Sequence, residues 1–334
     1  MNQFLPRPQF WAQTQRQIKT RFSMFGELMI LLLLMLLSML GQAVFLLIPS
    51  IFWVFSEQGE AALSAMSSGE SMEALMSDLL RTIPDWLFLC AFLGYAVMGA
   101  VAIIYCRKYQ KRSLSSMGLC GRAPLGEYAL GLCFGLLLAG AILALGVAAG
   151  GFRLAEEAVS GEKLGLLLLA LAGCLVQGAA LELLLRGYFA PSLGAHYPIP
   201  AALVFSTLVS VMFRSPGSLT SLSFANTLLL ELLLGIWVLK RGKLWSACAL
   251  HGAWVFSMSF LFGFAPAGEH EGVYLIAVEA DAWRGLLTGG DAGPQASICA
   301  TVVLLAALAA VLALPARDPA SAFRPEDEQA ANKL

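Results

Sequence analysis

Histidine is nearly missing from this chain: there are three in 334 residues, at positions 196, 251 and 270. Charge is scarce too, at 13% of residues, where a soluble domain of this size carries roughly 25%. Neither sign dominates, because 21 Lys and Arg face 22 Asp and Glu for a net charge of −1, so no basic field attracts nucleic acid. The seven cysteines (90, 106, 120, 133, 174, 248, 299) include no C-x-x-C pair, which excludes a disulfide framework and a cysteine-based metal cluster. They read as small apolar packing residues. No repeat relates the two halves of the chain, which counts against a secondary transporter.

Apolar sequence fills the space these absences leave. Hydrophobic residues make up 58% of the chain and the mean hydropathy is +0.75. Eight hydrophobic runs stand out, at about 28–55, 86–106, 127–150, 164–185, 199–213, 222–239, 244–263 and 296–315. Each approaches or exceeds the roughly 20 residues an α-helix needs to cross the hydrocarbon, except the short fifth. The expected fold is therefore all-α, a polytopic membrane helix bundle of about eight transmembrane helices. The first run is too long for a signal peptide and has no small-residue cleavage pattern, so it reads as a retained helix.

Charges sort along the chain. Fifteen of the 21 cations lie in alternate connections (Arg7 to Arg21, Arg107 to Arg122, Lys240 to Lys243, Arg317 to Lys333), while segments 56–85 and 264–295 are acidic. The positive-inside rule then places both termini in the cytoplasm, and an even number of spans agrees. A basic N-terminal segment (1–27), a membrane domain (28–315) and a polar tail (316–334) expected to be disordered follow from this pattern. Residues 64–80 read as a partly amphipathic stretch on the outer surface.

Polar residues inside the apolar runs are the candidates for function, because the bilayer makes them expensive. Glu182 and Arg186 are four apart, acid first, and so can pair on one helix face. Glu231 interrupts Leu228–Leu234, where an unpartnered carboxylate would be costly; Arg214 or Asn226 are candidate partners. Arg214 either snorkels to water at the end of the fifth run or reaches inward to neutralise Glu182 or Glu231. His251 stands alone in the seventh run, where an intramembrane His is often a donor between helices.

Three segments together resemble the CPBP family of intramembrane proteases, the group of CAAX prenyl endopeptidases and Abi bacteriocin-processing proteins. The first is Leu181-Glu182-Leu183-Leu184-Leu185-Arg186-Gly187-Tyr188, preceded by Gln177-Gly178-Ala179-Ala180. The second is the helix Ala201 to Arg214. The third is Gly242-Lys243-Leu244-Trp245 with His251-Gly252-Ala253-Trp254. Lys111 to Leu119, Asn226 and Leu287 to Ser297 extend the likeness over a core of about 105–315. The resemblance implies a water activated by the first of two adjacent glutamates and a second-motif His, with a third-motif His and Asn at the oxyanion.

Here the first Glu is replaced by Leu181, the second-motif helix has no His and aligns Arg214 there, and the third-motif Asn is Val255. Glu182, Arg186 and His251 remain. Hydrolysis needs a base and oxyanion donors, which leucine and valine cannot supply, and arginine stays protonated. Zinc needs three protein ligands; Glu182 and His251 provide two beside a repelling arginine, so no cofactor is expected. The expectation is a catalytically impaired relative in a bacterial cytoplasmic membrane, binding a membrane-embedded or lipidated peptide, or another membrane protein, in an inherited cavity. The alternatives are a working endopeptidase that uses Glu182 and His251, and a small-molecule or ion carrier using Glu231, Arg214 and His251.

Overall fold

The computed structural model describes residues 5–19, 22–57, 60, 84–120, 123–155, 161–214, 221–266 and 273–315. The segment 64–80 and the tail 316–334 lie outside the described residues. Among the described residues nine principal helices follow in order: α1 (Gln9–Gln17), α2 (Met24–Val54), α3 (Asp85–Ile104), α4 (Pro124–Ala148), α5 (Gly161–Glu182), α6 (Ile199–Arg214), α7 (Ser221–Arg241), α8 (Trp245–Phe256) and α9 (Ile298–Ala313). Helices α2 to α9 correspond to the eight hydrophobic runs. Five of them are long and apolar enough to cross a membrane, whereas Ile199–Phe213 and Ile298–Ala313 are apolar but shorter and α8 has 12 residues. The protein is an all-α polytopic bundle.

Local chemistry sets the helix ends. Ser23 and Ser297 cap α2 and α9, their hydroxyls accepting from Gly26 N and Ala300 N at 3.1 Å, and Pro124 opens α4 where its missing N–H costs nothing. On α2 a long apolar face, including Leu33, Leu36, Leu40, Val44 and Phe52, is exposed, as suits a helix against lipid.

Helix α8 is the buried centre, packed between α4 and α5. Glycine permits both contacts. A methyl group on Gly131 would lie 1.9 Å from Ser246 O, one on Gly135 2.7 Å from Leu250 O, and one on Gly178 2.4 Å from Gly252 N. Small residues let helices approach this closely in a bilayer, where packing rather than water exclusion drives association. On the same helix α4, a methyl group on Gly140 would meet nothing within 4 Å among the described residues, so this glycine makes no such contact.

Three features are not visible in the hydrophobic pattern. Helix α5 continues as a wider π segment, Leu183–Phe189, before returning to α geometry over Ala190–Gly194; such insertions mark strained or functional places in helices. The chain also forms a three-stranded sheet in the order β1–β3–β2, from Phe152–Leu154, Ile276–Ala280 and Phe262–Pro266. β1 runs antiparallel to β3 (Phe152 opposite Ala280) and β2 runs parallel to it (Phe264 opposite Val278). Finally, the polar N-terminal lead contains α1, which buries Phe10 and Trp11; the Trp11 ring rests on Gly194, where a methyl would lie 2.3 Å from it.

The two ends of the bundle differ. At one, Arg241 pairs with Glu127 at 2.8 Å and Lys243 approaches it at 3.9 Å. Lys240 donates to the last carbonyls of α9, at 3.1 Å to Leu312 and 2.8 Å to Leu314, satisfying acceptors that a helix end leaves open. Near this end Arg112, fully buried, is held by neutral oxygens. It donates to Thr14 Oγ1 (2.8 Å), Ser116 O and Gly187 O (2.9 Å each), Gln110 Oε1 (3.0 Å), Ser116 Oγ (3.3 Å) and Ser192 Oγ (3.4 Å). Burial pulls its pKa below the ordinary guanidinium value. The sheet closes the other end.

Candidate functional site

The Gly178–Gly252 crossing fixes the site. Glu182 lies one turn beyond Gly178 on α5, and His251 directly precedes Gly252 on α8, so this close backbone approach brings the two side chains together. His251 Nδ1 and Glu182 Oε1 are 2.8 Å apart. Arg186 Nη1 donates to the same oxygen at 2.9 Å. Its other arm, Nη2, donates to Glu231 O at 2.9 Å and also to Glu231 Oε2. Glu182, Glu231 and His251 are wholly buried and Arg186 nearly so.

This arrangement gives Glu231 a partner that the sequence reading did not name: Arg186 reaches it. Asn226 instead ties α7 to the segment before α9: its amide donates to Gln295 O and Ser297 O at 2.9 Å each, and its oxygen accepts from Thr301 Oγ1 at 2.7 Å. The backbone of Arg214 ends α6, and its side chain lies outside the described residues.

A cavity of about 500 Å³ opens beside the cluster, between α2, α3, α5, α6 and α8. Leu181 and Val255 are part of its wall, together with Ser210 and Phe213 of α6 and Gln295. Of the buried cluster, His251 belongs to that wall, whereas Glu182, Arg186 and Glu231 do not. The two positions where the resemblance expects a catalytic carboxylate and an oxyanion amide therefore face the cavity with hydrocarbon. The carboxylate that remains is turned away and shared between a guanidinium and an imidazole.

The rest of the wall is apolar with scattered hydrogen-bonding groups. Met35, Met39, Met98 and Met258 contribute flexible, polarisable surface. Gln177 Oε1 and Trp254 Nε1 are buried and make no hydrogen bond among the described residues, an uncommon state for buried polar atoms. Ser210 Oγ donates to Ser206 O at 2.9 Å and so is already engaged. Residues 177, 181, 184 and 185 on α5, and 251, 254, 255 and 258 on α8, form stripes at helical spacing. Those stripes were the signal in the sequence for Gln177, Trp254 and Met258; the contribution of α2 and α3 left no such signal.

A divalent cation does not suit this donor set. Arg186 stands between the two carboxylates, pairing with one oxygen of each, and its charge would repel a cation. Among the described residues no group of three or more His, Cys, Asp or Glu could hold a metal ion.

Residues 163–257, from the start of α5 to the end of α8, match the family model described as type II CAAX prenyl endopeptidase Rce1-like. No curated protein and no solved structure matches the chain. The matched stretch contains Glu182, Arg186, Arg214, Glu231 and His251, and both walls of the glycine crossing.

Proposed function

We propose that this integral membrane chain is a member of the CPBP/CAAX-protease family, a reading that the match over residues 163–257 supports, and that it binds a membrane-embedded or lipidated peptide without cutting it. One observation carries this reading. Leu181 and Val255 line the cavity, while Glu182 is held off it by Arg186 and His251. A water beside Leu181 meets no carboxylate at that position, and a tetrahedral intermediate beside Val255 loses a donor that would lower its energy. The methionine-rich wall suits ligands of varied side chains. The surrounding architecture is a membrane domain over 28–315 with a CPBP-like core at about 105–315. Its termini face the cytoplasm of a bacterial cell, an orientation that the alternating charge of the connections supports.

A second reading rests on His251. It faces the cavity with Glu182 behind it, and a carboxylate that orients an imidazole is a common way to build a base. This favours an active endopeptidase that uses Glu182 and His251 in altered geometry.

One experiment separates the two. Purified protein is incubated with fluorogenic prenylated and leader peptides, following both cleavage and retention of the peptide. Retention without turnover is expected. Turnover that disappears in Glu182→Ala or His251→Ala would establish the protease and overturn the binder. The triple change Leu181→Glu, Arg214→His and Val255→Asn tests whether the scaffold still holds a hydrolytic geometry.

A further inference from the structure

We propose that a second cavity, where the segment after α1 meets the end of α3, binds the phosphate headgroup of an anionic phospholipid. It encloses about 490 Å³ and is separate from the site above, its walls including Lys19, Lys111, Tyr105, Tyr109, Phe22 and Ile30. A volume of this order falls within the range of small-ligand sites. Both lysines are exposed, and among the described residues neither makes an ion pair or a side-chain hydrogen bond. Two cations therefore meet in one concavity with no anion among the described residues paired to them.

The backbone adds an independent observation. Lys111 adopts φ 55°, a left-handed conformation that L side chains other than Asn or Asp rarely take and that glycine would adopt freely. Strain of this kind persists where the surroundings or a ligand compensate for it. The turn leading to it, Tyr105–Tyr109, is a π segment, and its two tyrosine rings stack with centroids 5.8 Å apart.

Position selects a lipid over a soluble anion. The cavity lies where the apolar part of α3 ends and that of α2 begins, and exposed Phe22, Phe25, Ile104 and Tyr109 surround this level. Aromatic residues at that depth mark the headgroup region. With a phosphate between Lys19 and Lys111, the acyl chains run past Phe22 and Ile30 along the exposed apolar face of α2. Juxtamembrane basic pockets recognise anionic headgroups by this combination of charge and depth.

The test uses the full-length chain in neutral detergent. It is titrated with phosphatidylglycerol, with phosphatidylcholine of the same chain length, and with free glycerol phosphate, and bound species are counted by native mass spectrometry. One phosphatidylglycerol is expected to be retained in preference to phosphatidylcholine, with free glycerol phosphate failing to compete. The double change Lys19→Gln and Lys111→Gly, whose glycine fits the left-handed turn, is expected to weaken retention on the order of tenfold. Arg153→Gln, on the sheet at the other end, is expected to leave it unchanged. Equal retention of the two lipids, full retention by the double variant, or effective competition by glycerol phosphate would each overturn the proposal.

Discussion

Arg186 and Arg112 are both withdrawn from water, yet one is held between two carboxylates and the other among neutral oxygens. Arg186 joins α5 to α7 through Glu231, and through Glu182 it shares an oxygen with His251 on α8. Arg112 gathers α1, the Ser115–Met117 turn and the carbonyl of Gly187 within the π segment. The first cluster contains fixed charges that need one another. The second spreads one charge over dipoles, none of which becomes a bare ion if the arginine is lost. Helices α5, α7 and α8 are thus locked together by mutual charge.

The sharpest way to break the comparison is Arg186→Met, which leaves two glutamates buried without their cation. Removing one partner of a buried ion pair costs about 3–5 kcal/mol, read as a loss of unfolding free energy in detergent. Adding Glu182→Gln and Glu231→Gln should recover much of it, because the net worth of such a cluster is small compared with the cost of dismantling half of it. Next comes Gly178→Val, which forces α5 off α8; overpacking costs about 1–3 kcal/mol, with the upper end expected since the obstacle is the Gly252 backbone. The same change should alter the His251 imidazole resonances, as Glu182 moves away from Nδ1.

Arg112→Lys sharpens the other side. A lysine keeps the charge but lacks the planar fork, so several of the oxygens around it lose their donor, at about 1–2 kcal/mol within the range for unmade buried hydrogen bonds. The smallest effect belongs to the rim: Glu127→Gln, whose partner Arg241 is partly exposed, should cost less than about 1 kcal/mol. If Glu127→Gln destabilised the protein as much as Arg186→Met, burial would not be what separates these clusters.

The helices were legible because each is an apolar run longer than any strand, bounded by charges or proline. The Glu182–Arg186 contact was legible because four residues separate its members on one helix. The contact of Glu231 with Arg186 was not assignable from sequence, since the two lie 45 positions apart on different helices and nothing in Leu228–Leu234 indicates which helix faces it. The sheet escaped notice for a different reason. Its strands have three to five residues, too few for alternation to register, and two fall in stretches that read as the end of an apolar run and an acidic connection. The π segment within α5 has no compositional mark at all, because its apolar residues continue the pattern before it.

The seating of Trp11 on Gly194 orders events during synthesis. Arg7, which donates to Gly194 O at 3.0 Å, waits for a residue 187 positions downstream. At roughly 5–20 residues per second, the ribosome takes on the order of ten to forty seconds to make that stretch. Through that interval α1 lacks the glycine it covers, although Arg112 emerges earlier, so the Trp11 ring has no seat until the fifth helix and the segment after it have emerged.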